Sequence, residues 1–406
     1  MNITSWAAVR AQFDLDPEFA HFSTFWLSSH PRKVRDAIDY HRRRLDQHPY
    51  LYVTENECRL EELASASIAS LLGTTSDEII VTHSTTEGLA ILYGGLKLAK
   101  GEEVLSTSHD HYSTFSTLNL LSKRTGALVR RISLYDDGIP SDSESIVERV
   151  SDAIGNQTRL VALTWVHSSS GRRLPIERIA ARIAHINSRR PVTRQVLLSV
   201  DATHALGVFD FDVSTLGCDF LVAACHKWLY GPRGTGFIWG KRTRLDEIAE
   251  VIPSFAPGPL GVFTGQVKDG SFGPAERLRP GGFNCFEHRW SIPAAVDFLS
   301  EIGTRRVYDR LSELTQNLVR AIQNIDRVRV ITPSESAEHG AIVCFEVEGL
   351  APSAVVSRLL ERKVISSVSP YANPVARLTP GIYNSQEDVE RAVHAVREVA
   401  ATCVRK

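Results

Sequence analysis

Asp219-Phe-Leu-Val-Ala-Ala-Cys-His226-Lys227-Trp228-Leu-Tyr-Gly231-Pro-Arg-Gly234-Thr-Gly236 is an apolar run of strand length that ends in a lysine and passes into a glycine-rich loop. Apolar character without alternation predicts a strand covered on both faces, as in a parallel sheet. An amine at the end of such a strand is disfavoured as ammonium, so it sheds its proton near neutral pH and attacks carbonyl carbon. Lys227 therefore reads as a Schiff-base lysine. The loop from Gly231 to Gly236 is no dinucleotide fingerprint, because its spacing differs and it leads into a strand instead of a helix.

Working upstream, a second strand-end signal is Val196-Leu-Leu-Ser-Val-Asp201-Ala-Thr-His204-Ala-Leu-Gly207. A carboxylate ending an apolar strand is excluded from such places unless paired. Asp201 fits two roles: keeping a pyridine nitrogen protonated, so that the ring acts as an electron sink, or capping a following helix. His204 reaches the same region from the turn. Taken with Lys227, the two residues point to pyridoxal phosphate.

Around this centre, apolar runs at 78–82, 103–107, 128–132, 159–164, 195–200, 220–224 and 236–239 alternate with helical periodicity at 55–72, 87–98, 113–125, 143–153, 176–187 and 213–216. That pattern predicts an α/β fold with a mostly parallel seven-stranded sheet. A Gly- and Pro-rich stretch at 253–284 is too long for a simple connector. Beyond it, helices are expected at 292–301, 305–324, 353–362 and 387–401, with strands at 328–331, 340–347 and 376–379. The expected organisation is an N-terminal arm over 1–30, a large domain over 31–285 and a smaller α+β domain over 286–406.

The 46 basic and 47 acidic side chains are interspersed, which gives no footprint for nucleic acid or anionic membrane. Six scattered cysteines show neither C-x-x-C pairs nor zinc spacing. No basic, apolar leader and no run of about 18 apolar residues occurs. A cytoplasmic protein with a small-molecule substrate and no metal is expected.

Three further motifs bear on chemistry. Thr82-His83-Ser84-Thr85-Thr86-Glu87-Gly88 opens a helix after the first strand, where free amides and hydroxyls suit a phosphate; capping by Ser84 or Thr85 with Glu87 suits the same pattern. Ser106-Thr-Ser-His109-Asp110-His111-Tyr112-Ser113 offers rings for stacking on an aromatic cofactor. Arg377 interrupts a late strand and is either a carboxylate clamp or an exposed strand arginine.

With these blocks in order, the chain resembles the class V aminotransferase and cysteine desulfurase superfamily of fold type I pyridoxal-phosphate enzymes, over nearly its whole length. The resemblance implies that Lys227 bonds the cofactor and moves the substrate α-proton, and that Asp201 partners the pyridine nitrogen. It further implies that His204 contacts the ring hydroxyl and Ser168 touches the ring oxygen, that Thr85, Thr86 and His226 bind phosphate, and that His111 or Tyr112 stacks on the ring. Arg377 matches the arginine for the substrate α-carboxylate. Relatives are homodimers with shared sites, and Gly281-Gly-Phe283-Asn284 lies on the segment usually donated across the interface.

Several positions depart from the family pattern. Ala224 stands where relatives often place a phosphate-binding serine, and Phe283 where a threonine is common. The segment Ile365-Ser-Ser-Val-Ser-Pro-Tyr371 lacks the nucleophilic cysteine of cysteine desulfurases, so persulfide chemistry is not expected. The block from Phe22 through Phe25 and Trp26 to Val34 is similar to the isopenicillin-N-epimerase-like branch, which includes carbon–sulfur lyases of ergothioneine and lincosamide pathways. The expected function is β carbon–sulfur cleavage of a cysteine S-conjugate in specialised metabolism, with Phe25, Trp26, Phe283 and Asn284 near the substrate. Transamination, epimerisation and decarboxylation-linked deamination are the alternatives. A catalytically silent scaffold is expected to have lost Lys227 or Asp201, and both are present.

Overall fold

Val-, Ile- and Leu-rich runs in the middle of the chain are apolar on both faces, so each strand they form must be covered on both sides. The computed structural model, which describes residues 5–135, 142–268 and 270–402, shows this arrangement. After a short arm strand β1 (Ala20–His21) come β2 (Ile79–Thr82), β3 (Glu103–Thr107), β4 (Leu128–Ile132), β5 (Thr158–Thr164), β6 (Leu197–Asp201), β7 (Phe220–Ala224) and β8 (Gly236–Gly240). They form one seven-stranded sheet in the order β2-β8-β7-β6-β5-β3-β4, with β8 antiparallel to its neighbours and the rest parallel. Every residue of β2, β5, β6, β7 and β8 is buried, whereas edge strand β4 is partly exposed.

The two faces have separate cores. Ile80, Leu160, Leu197 and Val222 pack against Leu89, Leu92 and Leu118 from the helices Thr85–Gly95 and Tyr112–Thr125. On the other face Val81, Val161, Leu198 and Val200 meet Ile68 and Leu72 of Pro49–Leu72 and Ile179 and Ile183 of Ile176–Asn187. This period-2 partition is what a strand delivers. Burial of each such side chain is worth about 1.5–3 kcal/mol.

The C-terminal part adds β9 (Val328–Val330), β10 (Val343–Val347), β11 (Val364–Ile365), β12 (Ser367–Val368) and β13 (Ala376–Leu378). An antiparallel sheet in the order β12-β13-β10-β9 packs beneath Thr304–Ile322 and Gln386–Ala401. The arm joins it: β1 pairs in parallel with β11, and Ala20 and Phe22 lie in that core. The helix Ile292–Ile302 packs with the large sheet's core through Ile292, Phe298 and Leu299. Among the described residues no helix is long and apolar enough to cross a membrane.

Candidate active site

The carboxyl ends of β2, β6 and β7 reach the same edge of the sheet, the edge at which open α/β sheets bind ligands. After β2, Ser84 caps the helix Thr85–Gly95 by accepting the Glu87 N–H at 3.1 Å. The Glu87 carboxylate accepts the His83 N–H at 2.6 Å and lies 2.9 Å from the His83 ring, one residue short of a full capping box. The first-turn amides of Thr85 and Thr86 have no intrahelical acceptor and favour an anion. Gly236 makes this turn possible. A Cβ there would stand 2.8 Å from the Ala223 carbonyl oxygen and 2.9 Å from the Ser84 carbonyl carbon.

Lys227, Asp201, His204, His226, Thr85 and Arg377 face a common cavity of about 390 Å³. Burial lowers the Lys227 amine to about 8; Asp201 opposes the shift and Arg377 adds to it. Lys227 keeps some surface on the cavity side, yet desolvation still dominates because protein packs along its stem. Burial also raises Asp201 above the usual carboxylate range, opposed by Thr203, whose N–H donates to Oδ1 at 2.9 Å. No helix follows directly, so the alternative role of Asp201 as a helix cap is set aside. Burial holds His204 well below the ordinary imidazole range and lowers His111 and His226.

Arg377 is fully buried on β13, which removes the exposed-strand alternative. Its guanidinium donates to the Ser168 carbonyl and to the Val368 carbonyl, each at 2.9 Å, and sits 3.8 Å from the centre of the Phe25 ring. Ser168 Oγ is 2.8 Å from the Tyr371 hydroxyl, so the 366–371 loop is tied to the cavity wall. Asp110 is a buried strut. It accepts from Ser106 Oγ at 2.9 Å, from Thr107 N–H and Thr107 Oγ1 at 2.8 Å, and from Thr164 N–H at 2.9 Å. These bonds clamp the loop carrying His111 to the end of β5.

A model of the aminotransferase class-V family matches residues 53–392. The chain belongs to the class V aminotransferase family. It is similar to an isopenicillin N epimerase of Amycolatopsis lactamdurans, 26% identical over 98% of this chain and 100% of that protein. A probable cysteine desulfurase of Streptomyces coelicolor is 27% identical over 86% of this chain and 82% of its own length. A solved C-DES variant with glycine covalently linked to the PLP cofactor superposes with a TM-score of 0.85 at 19% identity, covering 96% of this chain and 99% of that chain. A cysteine desulfurase from Thermococcus onnurineus NA1 gives a TM-score of 0.82 at 21% identity, covering 99% of both chains. The fold is fold type I, and this class V chain is a pyridoxal-phosphate-dependent enzyme.

The residues present fit that cofactor. His204 Nδ1 and His226 Nδ1 are buried on the cavity wall with no hydrogen-bond partner among the described residues. A low-pKa amine, a carboxylate and a helix N-terminus within one cavity match an aldehyde, a pyridine nitrogen and a phosphate.

Of the residues singled out in the sequence, Phe25, Trp26, Thr85, Thr86, His111, Ser168, Asp201, His204, His226, Lys227 and Arg377 line this cavity. Tyr112 is 73% exposed at the start of its helix, and Phe283 is 91% exposed; neither lines it. Asn284 lines a neighbouring cavity, and its Oδ1 accepts from His83 Nε2 at 2.7 Å, behind the phosphate-type turn. Sequence reasoning missed Thr203, Tyr371 and the strut role of Asp110. Thr203 lies between two residues that were noticed, and its hydroxyl is 2.6 Å from that of Thr85. Tyr371 closes the segment singled out for its lack of cysteine, where no contact of its own could be read.

Proposed function

We propose that this enzyme removes the α-proton of an amino acid carrying a large β-substituent, and that the favoured outcome is cleavage of the β carbon–sulfur bond of a cysteine S-conjugate. The observation carrying this reading is the set Lys227, Asp201 and Arg377 around one cavity whose described lining contains no cysteine. Arg377 pairs with the α-carboxylate, its planar fork offering directional bonds. The neutral Lys227 amine takes the α-proton, which its lowered pKa permits near neutral pH. Bound pyridoxal phosphate stabilises the electron pair left at the α-carbon. Asp201 would keep the proton on the ring nitrogen, its Oδ1 already accepting from the Thr203 N–H.

Thr85, Thr86 and His226 would hold the phosphate, His204 and Ser168 would contact the ring hydroxyl, and His111, which lines the cavity where Tyr112 does not, would stack on the ring. In β-cleavage the electron pair from the α-carbon expels a thiolate, and water converts the remaining aminoacrylate to pyruvate and ammonia. Cys225 and Cys344 are buried, with burial pushing both thiols up to about 12, so neither supports a persulfide relay. Phe25 and the 67%-exposed Trp26 give the mouth an apolar platform for the substituent. Exposed Phe283 and the Gly281–Asn284 segment fit a homodimer in which each chain completes its partner's site.

Full-length alignment with an isopenicillin N epimerase supports epimerisation as the second reading. Purified holoenzyme should show a visible absorbance band that Lys227→Ala abolishes. Incubation with a cysteine S-conjugate should release equimolar pyruvate and thiol. Recovery of the conjugate with its α-centre inverted would favour epimerisation, and a keto acid with an intact carbon–sulfur bond would replace both with transamination.

A further inference from the structure

One buried side chain on the cavity wall touches both the residue that faces the pyridine nitrogen and the helix start that faces the phosphate. We propose that Thr203 is a positioning residue: its hydroxyl donates to that of Thr85 and so turns the Thr85 proton toward the cofactor phosphate. This deepens, and rests on, the reading of Thr85 as a phosphate ligand.

Thr203 stands two residues after Asp201, in the turn that follows β6, and is buried on the same cavity as Asp201 and Thr85. Its N–H donates to Asp201 Oδ1 at 2.9 Å, and its Oγ1 is 2.6 Å from Thr85 Oγ1. Thr85 opens the helix Thr85–Gly95 and is itself buried, whereas Thr86 beside it is exposed. The oxygen of Ser84 is already engaged as the helix cap. The direction of the Thr85 hydroxyl therefore decides what this helix start offers an anion besides its amides.

A hydroxyl carries one proton and two lone pairs, so two hydroxyls that share one hydrogen bond leave a single proton for a third partner. The pair has two orders. In the first, Thr85 donates to Thr203 and the Thr203 proton goes to the Asp201 carboxylate, in keeping with the part of the Thr203 side chain in opposing the upward shift of Asp201. Thr85 then presents only lone pairs to a phosphate, which repel it. In the second, Thr203 donates to Thr85, and the Thr85 proton is free to make a charge-assisted bond. A hydroxyl that accepts one bond is also the stronger donor in the next. With a phosphate against Thr85 the second order is favoured, because Asp201 keeps the Thr203 N–H and gains the proton on the pyridine nitrogen. The two ends of the cofactor site are thus linked through one reversible hydrogen bond.

The test is equilibrium dialysis of pyridoxal phosphate against the full-length apoenzyme and its Thr85→Val, Thr203→Val, Thr203→Ser and Thr85→Val/Thr203→Val variants. Thr85→Val and Thr203→Val should each raise Kd about three- to tenfold, and Thr203→Ser, which keeps the hydroxyl, should stay within about twofold of wild type. The double variant should bind no more than about twofold weaker than Thr85→Val alone, because the Thr203 hydroxyl acts on the phosphate only through Thr85. Should Thr203→Val fail to fold, Thr203→Ala takes its place in the series. An unchanged Kd in Thr85→Val would remove the phosphate reading of Thr85, and the relay with it. A weakened Thr85→Val beside an unchanged Thr203→Val would overturn the relay alone. So would losses that multiply in the double variant, since Thr203 would then act through Asp201.

Discussion

Asp110 gives the most direct test of how the site is held. Asp110→Ala removes the acceptor of two buried backbone donors, Thr107 N–H and Thr164 N–H. Each buried donor left unsatisfied costs about 1–3 kcal/mol, so the pair costs about 2–6 kcal/mol. The Ser106 and Thr107 hydroxyls add less, because both can rotate to other acceptors. Asp110→Asn separates the two oxygens. One accepts three bonds and the other only the Thr164 N–H, so the amide should turn its NH2 toward Thr164 and lose about 1–3 kcal/mol. Hydrogen exchange over residues 103–111 and 158–165 reads this locally. A loss of 2 kcal/mol in local stability accelerates exchange by about 30-fold. Because the strut sets where His111 sits, cofactor absorbance should also shift. Less than about a threefold change over 103–111 in Asp110→Ala would refute the strut.

Three other outcomes are expected. Uptake of pyridoxal phosphate by the apoenzyme needs neutral Lys227, so its rate should rise with pH around a midpoint of about 8. Asp201→Asn removes the charge that opposes the lowering and should move that midpoint down, as stopped-flow absorbance will show. Arg377→Lys keeps the charge but loses the fork, at a cost of about 2 kcal/mol, so KM for the amino acid should rise about 30-fold with the absorbance band intact. Gly236→Ala forces a Cβ to within 2.9 Å of the Ser84 carbonyl carbon, so the phosphate turn must shift, and equilibrium dialysis should show weaker cofactor binding.

The sheet was legible in the sequence because strands covered on both faces carry unbroken apolar runs, and all seven runs became strands. The antiparallel sense of β8 was not legible: a run's composition does not carry its direction. The helix Arg32–Gln47 was missed because Val34, Ile38, His41 and Leu45 make too thin a stripe among charged residues. Within the site, Lys227, Asp201 and His204 were readable since each violates the apolar rule at a strand end. Tyr371 and Asp110 violate no local rule. Their roles arise from contacts with Ser168 and Thr164, residues distant in sequence that only tertiary structure brings near.

The electrostatics of the cavity explain why this chain selects a cofactor with an acceptor carbon at one end and a basic nitrogen at the other. Burial pushes Lys227, Asp201, His204 and His111 toward their neutral forms, and among the described residues Lys227 and Asp201 make no ion pair within 4.0 Å that would reverse it. A ligand that consumes the lysine's lone pair and places a cation beside the aspartate relieves both, whereas an ion placed between them relieves only one. That selection is silent about the reaction. On the proposed reading Arg377 takes the α-carboxylate, and the direction of the β-substituent would then follow from what surrounds the guanidinium: Phe25 from the arm and the Tyr371 segment tied to Ser168. Both segments lie outside the parallel sheet. On that reading, reaction outcome would be set by residues that can change without disturbing the strand ends that carry Lys227 and Asp201.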